Sequence, residues 1–231
     1  MERRRLRMKR TGLLCVLMMV SVLIIATNAR AADKAIKPYI EGELGYASIK
    51  MESGGFNTAG PHENTGDDRA SRVVPALHVG AKFFNVVRGD IGFHYRGKSD
   101  FTTNSYQPPV PTFFYATEVK DVYSLMFSVF AEPFQFKGFT PYVGAGIGST
   151  WMKVSSNDSV VIAGDSQTKF TWQVEAGIQY AFTDHLGVRA GYRYVDMGKF
   201  DVPLFDGFGA AGNLTGRLTA HELMAAFRYT F

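Results

Sequence analysis

Cysteine is nearly absent from this chain: 231 residues hold one, Cys15. A lone thiol excludes an intramolecular disulfide framework and any cysteine-rich metal cluster. Its setting, Gly12-Leu13-Leu14-Cys15, lacks the small residue that precedes a lipid-modified cysteine. Long apolar runs are equally scarce. Thr11–Ala26 comes nearest, and it falls short of the roughly 20 residues of a membrane-spanning helix. No stretch keeps a helical period, which leaves strands as the building material.

A lasting surplus of basic charge is missing too. The net charge of +4 comes from 25 basic and 21 acidic residues, but much of it sits at the start. Met1–Arg10 carries six basic residues, the apolar run follows, and Ala29-Arg30-Ala31 has the small-x-small form of a signal-peptidase site. This predicts a signal peptide over 1–31 and one mature domain over 32–231. The leader takes with it seven basic residues (the six and Arg30) and one acidic residue, Glu2. That leaves 18 basic against 20 acidic, a net of about −2, so the basic balance is no argument for nucleic-acid binding.

What the chain does have is alternation. In Arg217–Phe231, Leu223, Ala225, Phe227, Tyr229 and Phe231 form one set; Glu222, Met224, Ala226, Arg228 and Thr230 form the other. Period two is a β-strand. Its bulky aromatic face and its charged, small-residue face suit a barrel with lipid outside and a polar interior. Seven further segments read the same way: Lys37–Met51, Arg72–Phe84, Arg88–Lys98, Glu118–Phe130, Thr140–Lys153, Thr168–Phe182 and Leu186–Asp196. Long connections are expected at Glu52–Ser71, Ser99–Thr117, Ser155–Gln167 and Met197–Gly216. The prolines Pro108, Pro109 and Pro111 argue against a ladder strand in the second of these. Short turns are expected at Asn85–Val87, Ala131–Phe139 and Thr183–His185. The fold class that follows is all-β: an eight-stranded antiparallel up-and-down transmembrane β-barrel, with Trp151, Trp172, Tyr95, Phe83, Phe182 and Phe231 as interfacial girdles.

Two segments, T-P-Y-V-G-A-G-I-G-S over Thr140–Ser149 and G-V-R-A-G-Y-R-Y-V-D-M-G over Gly187–Gly198, resemble the outer-membrane β-barrel domain family, the small eight-stranded Opa- and Omp25-like barrels related to the OmpA transmembrane domain. The resemblance implies the bacterial outer membrane as location. It also implies that the terminal Phe231 serves as the assembly signal read by the barrel-assembly machinery. Fold does not supply function.

On this parity the interior holds a charge network of Glu41, Glu43, Lys82, Arg96, Glu175, Arg189, Arg193, Glu222 and Arg228, with Arg88, Asp90, Lys120, His78 and His94 beside it. Buried charges have to be paired, and eight strands leave room only for side chains. The interior therefore reads as an ion-paired plug, with a narrow gated pore as the alternative. Inward glycines at 144, 146, 148, 177 and 191 are expected to make room for the arginines.

Three motifs mislead. Gly144-Ala145-Gly146-Ile147-Gly148 has no helix after it to receive a phosphate. His221-Glu222 has no second histidine four residues on. His62, Glu63, Asp67 and Asp68 could hold calcium, though a solvated acidic loop is the plainer reading. Nothing calls for a metal, a cofactor or a catalytic residue, and a lipid A-modifying enzyme would need a nucleophile and base on the lipid face.

The loops carry apolar candidates for contact with a host or surface ligand: Phe113, Phe114, Tyr115, Phe200, Leu204, Phe205 and Phe208, with Val202 among them. The expected partners are outer-membrane lipid and lipopolysaccharide, the assembly machinery and that ligand. The function expected is a non-enzymatic surface protein supporting envelope integrity or adhesion.

Overall fold

A computed structural model describes residues 36–56, 68–83, 86–107, 110–158, 161–206 and 209–231. Side chains at 53–56, 102–116, 157–163, 204 and 206–212 stand outside that description, as do the expected leader, His62, Glu63, Asp67 and Phe208. Eight strands follow one another: β1 Ile36–Phe56, β2 Arg69–Phe83, β3 Val87–Gln107, β4 Val110–Ala131, β5 Phe139–Asp158, β6 Val161–Ala181, β7 Leu186–Asp206 and β8 Gly209–Thr230. Each pairs antiparallel with its neighbours, and β1 pairs with β8, so the sheet closes into an up-and-down barrel. Closure leaves no sheet edge in the lipid.

Two belts of aromatic rings mark where the lipid lies. At the inner end, where both ends of the described chain meet, Phe139 packs on Tyr180 (4.7 Å between ring centres), Tyr180 on Phe182 (5.1 Å) and Tyr229 on Phe231 (5.1 Å). At the other level Tyr95 stacks on Tyr123 (5.0 Å), Trp172 on Tyr194 (5.5 Å) and Tyr194 on His221 (5.2 Å). Trp172 and Tyr180 are eight residues apart on β6. At about 3.4 Å per residue and a tilt of about 40°, the belts stand about 21 Å apart, close to the apolar band of such barrels. Between them the outward positions are apolar, among them Leu44, Phe127, Ile147, Val174, Leu223 and Phe227.

The strands do not stop at the outer belt. β7 continues twelve residues past Tyr194 to Asp206, about 30 Å of wall at the same rise and tilt. Most of what reads as long loops is therefore strand. β3 ends at Gln107 and β4 begins at Val110; β7 ends at Asp206 and β8 begins at Gly209. Pro111 is accommodated because the β3–β4 register slips between Ser105↔Phe113 and Gln107↔Val110, leaving it without a ladder partner.

Above the outer belt the pattern of the wall reverses. Outward positions become polar (Ser48, Lys50, Lys98, Asp100, Lys153), while a buried apolar cluster fills the interior, including Ile49, Val74, Phe101, Met152, Met197, Phe200 and Leu218. Water has replaced lipid outside, so burial of apolar area now favours grease within. Phe200 and Val202 belong to this core and are wholly buried, which corrects their expected place as exposed contact residues of a long loop. Phe205 is 53 % exposed. Phe113, Phe114 and Tyr115 lie on β4 rather than on a loop. Lys120 is a second correction: it faces outward, because a bulge at Asp121, with φ of 54°, shifts the strand by one residue.

The outer storey also has two seams. The β2–β3 ladder ends at Ala76↔His94, although both strands run on. The β6–β7 ladder ends at Trp172↔Asp196 and resumes only at Ala163↔Leu204. These breaks lie four strands apart, on opposite sides of the barrel. Above the membrane the ladders therefore join β7-β8-β1-β2 and β3-β4-β5-β6 more continuously than they join the two groups to each other.

Phe200→Ala should destabilise the barrel by about 3–5 kcal/mol in denaturant unfolding from detergent micelles. Phe205→Ala should change it by less than about 0.5 kcal/mol. Equal effects would return Phe200 to the surface.

Candidate functional site

Between the belts, inward positions carry charge, and the closed wall brings charges far apart in sequence onto one another. Arg193 on β7 is the hub. Its Nε donates to Glu175 Oε2 (3.0 Å), one NH₂ group to Glu222 Oε2 (3.1 Å) and the other to Glu43 Oε2 (2.9 Å). Arg189, two pleat repeats below, binds Glu41 Oε1 (2.5 Å), Glu43 Oε2 (2.6 Å) and Glu175. Arg96 donates to Glu222 Oε1 (2.8 Å) and Arg228 to Glu41 Oε2 (2.8 Å). The expected acids on β1, β6 and β8 do meet bases on β7 and β8. Lys82, at the inner mouth, pairs with Glu132 (2.5 Å). Every one of the nine expected lumen charges is engaged.

Closure explains the pairing. β8 lies against β1, with Arg228 directly opposite Glu41; Glu175 lies opposite Arg193 across β6–β7, and Arg193 opposite Glu222 across β7–β8. Six bases (Lys82, Arg88, Arg96, Arg189, Arg193, Arg228) face six acids (Glu41, Glu43, Asp90, Glu132, Glu175, Glu222), so the layer balances without the histidines. Buried ions demand that balance, because an unpaired one would cost several kcal/mol.

Some members escaped the sequence reading. Glu132 follows β4 on a turn, yet it is buried and holds Lys82, Arg88 (3.0 Å) and Gln179 (3.2 Å). Continuing the parity of Ser128 and Phe130 by one step would have found it. Burial raises the Glu132 carboxyl, but the Lys82 hydrogen bond and the charges of Arg88, Lys82 and Arg228 hold it below its ordinary value. Tyr39 donates to Asp90 Oδ2 (2.6 Å), and both accept from Arg88 (3.1 and 3.0 Å). Arg88 also lies over the Phe130 ring, 3.7 Å from its centre. At the top of the layer, Arg96 donates to Ser124 (2.8 Å), which is hydrogen-bonded to Thr150 (2.7 Å) and that in turn to Thr171 (2.6 Å).

The inward glycines serve rings more than arginines, a correction to the expectation. A Cβ on Gly177 would stand 2.6 Å from the Tyr142 hydroxyl, and one on Gly144 would collide with Phe130. Gly92 clears space for His78 and His94, whose rings meet edge-on at 5.0 Å. Glu43, His78 and His94 offer ligand atoms within 4.8 Å of one another. Arg189 and Arg193 already hold Glu43, however, and Arg193 lies 3.2 Å from His94 Nδ1. An added divalent cation would have to displace arginines.

Below the ionic layer a cavity of about 480 Å³ opens at the inner end, lined by Lys37, Lys82, Glu132, Gln179 and Arg228 among others. Tyr39 and Arg189 also line it. Ionic layer and apolar storey stand in series above it, and Arg96, Arg193, Met197 and Phe200 are each wholly buried.

Comparison with known proteins agrees with this architecture. The family description of the outer membrane protein β-barrel domain matches residues 15–231. A 70-residue stretch is 36 % identical to outer membrane protein PagN of Salmonella typhimurium, covering 28 % of this chain and 29 % of that relative's length. Among solved structures, Neisserial surface protein A superposes with a TM-score of 0.51 at 18 % identity, covering 84 % of this chain and 97 % of that one. OprG of Pseudomonas aeruginosa gives 0.52 at 13 % identity, covering 86 % and 97 %. At such identities the two structures speak for the fold alone.

Arg193→Met takes one arginine from each of three carboxylates and leaves the buried layer one cation short. The expected cost is about 3–5 kcal/mol in denaturant unfolding. Adding Glu222→Gln should recover part of it, since it restores the balance of charge in the layer. A barrel indifferent to Arg193→Met would mean that water, not arginine, satisfies the layer.

Proposed function

The chain belongs to the outer membrane protein β-barrel domain family, and we propose that it is a non-enzymatic surface protein whose barrel anchors an outward-standing storey for adhesion or envelope integrity. Its place is the bacterial outer membrane. The observation that carries the reading is the lumen, filled at two successive levels by different chemistry. Conduction needs a continuous wet path, and eight strands leave only enough interior for side chains. Here those side chains are arginines in pairs below and a packed apolar core above.

Catalysis finds little support at the lipid face. Of the described histidines, His78 and His94 lie in the lumen and His185 on an inner-end turn stacked on Tyr229 (6.1 Å). His221 faces lipid, but its Nδ1 is engaged with the Tyr192 hydroxyl at 2.5 Å inside the outer belt. The storey above that belt is built for display: about 30 Å of wall holds the hairpin tips clear of the headgroups. The tips are the contact surface for a host or other surface ligand. Export depends on the leader over 1–31. Assembly depends on Phe231, whose amide donates to the Pro38 carbonyl (2.9 Å) where the barrel closes.

Refolded barrel in planar bilayers should stay silent. Surface material it captures in a pull-down should be lost when the β3–β4 and β7–β8 hairpin tips are trimmed. Stepwise openings abolished by Glu175→Gln or Glu222→Gln would assign the protein to the narrow gated pores instead.

A further inference from the structure

The inner mouth of the barrel gathers bases in one row. Register sets Lys37 of β1 directly opposite Lys82 of β2, and Lys82 directly opposite Arg88 of β3. Like charges directly opposite destabilise a sheet, so such a row needs anions beside it. Glu132 serves two of the three: it holds Lys82 Nζ at 2.5 Å and Arg88 Nε at 3.0 Å. It also accepts from Gln179 (3.2 Å), and Arg228 stands 4.0 Å away. Lys37 is left out. Among the described residues its ammonium has no carboxylate within 4.0 Å and no hydrogen-bond partner.

Both lysines line the cavity of about 480 Å³ at this end. Small-molecule sites range over about 300–1,000 Å³, so the space suits a small guest. Of the other bases in the lining, Arg189 and Arg228 are already bound by Glu41. Of its acids, Glu132 is committed to Lys82 and Arg88. Asp184 is exposed on the β6–β7 turn, with no base within 4.0 Å among the described residues, and is left to water. The ionic layer closes at six charges of each sign without Lys37, which leaves one positive charge over at the inner mouth.

That surplus defines the guest. A carboxylate brings one negative charge and two acceptor oxygens. One oxygen serves Lys37, and the other a spare N–H of Lys82, whose ammonium has three donors and gives one to Glu132. A dianionic phosphate would leave an unmatched negative charge beside Glu132. Apolar side chains line the same mouth: Phe134, 63 % exposed, with Val86 and Leu186. We propose that this cavity binds, from the periplasmic side, a monocarboxylate with a small apolar body, its carboxylate between Lys37 and Lys82 and its body against Phe134. A free organic acid and the C-terminus of an apolar peptide share this chemistry. The site does not depend on the adhesive reading, and its failure would leave that reading standing.

The test titrates refolded barrel in zwitterionic-phospholipid nanodiscs with phenylpropionate and with its neutral amide by calorimetry, empty nanodiscs serving as the blank. Wild type should favour the acid by about tenfold or more, the worth of one charge-assisted hydrogen bond. Lys37→Gln should lose that preference and Lys37→Arg should keep it, with heat-modifiable gel mobility reporting folding for each. Lys137→Gln removes a cation at the same end, one that lies over the Phe136 ring (5.4 Å) and outside the cavity lining, and should leave the preference intact. A second arm uses the tripeptide alanyl-alanyl-phenylalanine with a free or an amidated C-terminus. Peptide acid bound as tightly as phenylpropionate assigns the guest to peptide ends; phenylpropionate bound alone assigns it to free organic acids. No preference for acid over amide in wild type overturns the site. So does an equal loss in Lys137→Gln, or tighter binding of inorganic phosphate than of either acid.

Discussion

A carboxylate in a wall one strand thick, with lipid on one side, can only go inward, and inward it has to find a cation. That constraint shapes the membrane-spanning half of this barrel. Arg193 answers three carboxylates from three other strands, and Arg189 answers three as well, two of them shared with it. The layer is arranged so that no strand bearing one of these charges can slip without stranding it. A one-residue slip of β8 against β1 would separate Arg228 from Glu41 and turn Phe227 into the lumen. The ion pairs need not add net stability to act this way; a wrong register costs more than the right one gains.

The same rule, with water in place of lipid, writes the outer half. Crossing the outer belt, the inward positions change from Glu43, Glu222 and Arg193 to Ile49, Leu218 and Met197 along the same strands. The transition is marked by irregularity. Register shifts fall at Gly97 on β3, Asp121 on β4 and Gly198 on β7, each within a few residues of a belt aromatic. All three have positive φ, and each bulge shifts the side-chain parity of the strand beyond it. Gaps in the β2–β3 and β6–β7 ladders fall in this same outer half.

This accounts for what the sequence showed and hid. Strand count, order, closure and the lumen charges follow from strict alternation in segments such as Arg217–Phe231, where no bulge intervenes. Counting in twos fails across Asp121, which hides the outward direction of Lys120. Met197-Gly198-Lys199 breaks the alternation, so the strand that carries Phe200 and Val202 reads as a connection. Pro111 disguised a hairpin whose register slips around it. The two seams depend on which ladders are absent, and no local pattern encodes that.

Sidedness reverses at the outer belt: lipid lies outside an ionic lumen below it, and water outside an apolar core above it. A spin-label scan of outward positions along β8 and β1 in bilayers measures this directly. Labels at 227, 225, 223 and 44 should be accessible to oxygen and shielded from a polar nickel chelate. Labels at 217, 215 and 50 should show the opposite, with the crossover near His221. Oxygen accessibility that continues unbroken to the hairpin tips would place the whole wall in lipid and contradict it.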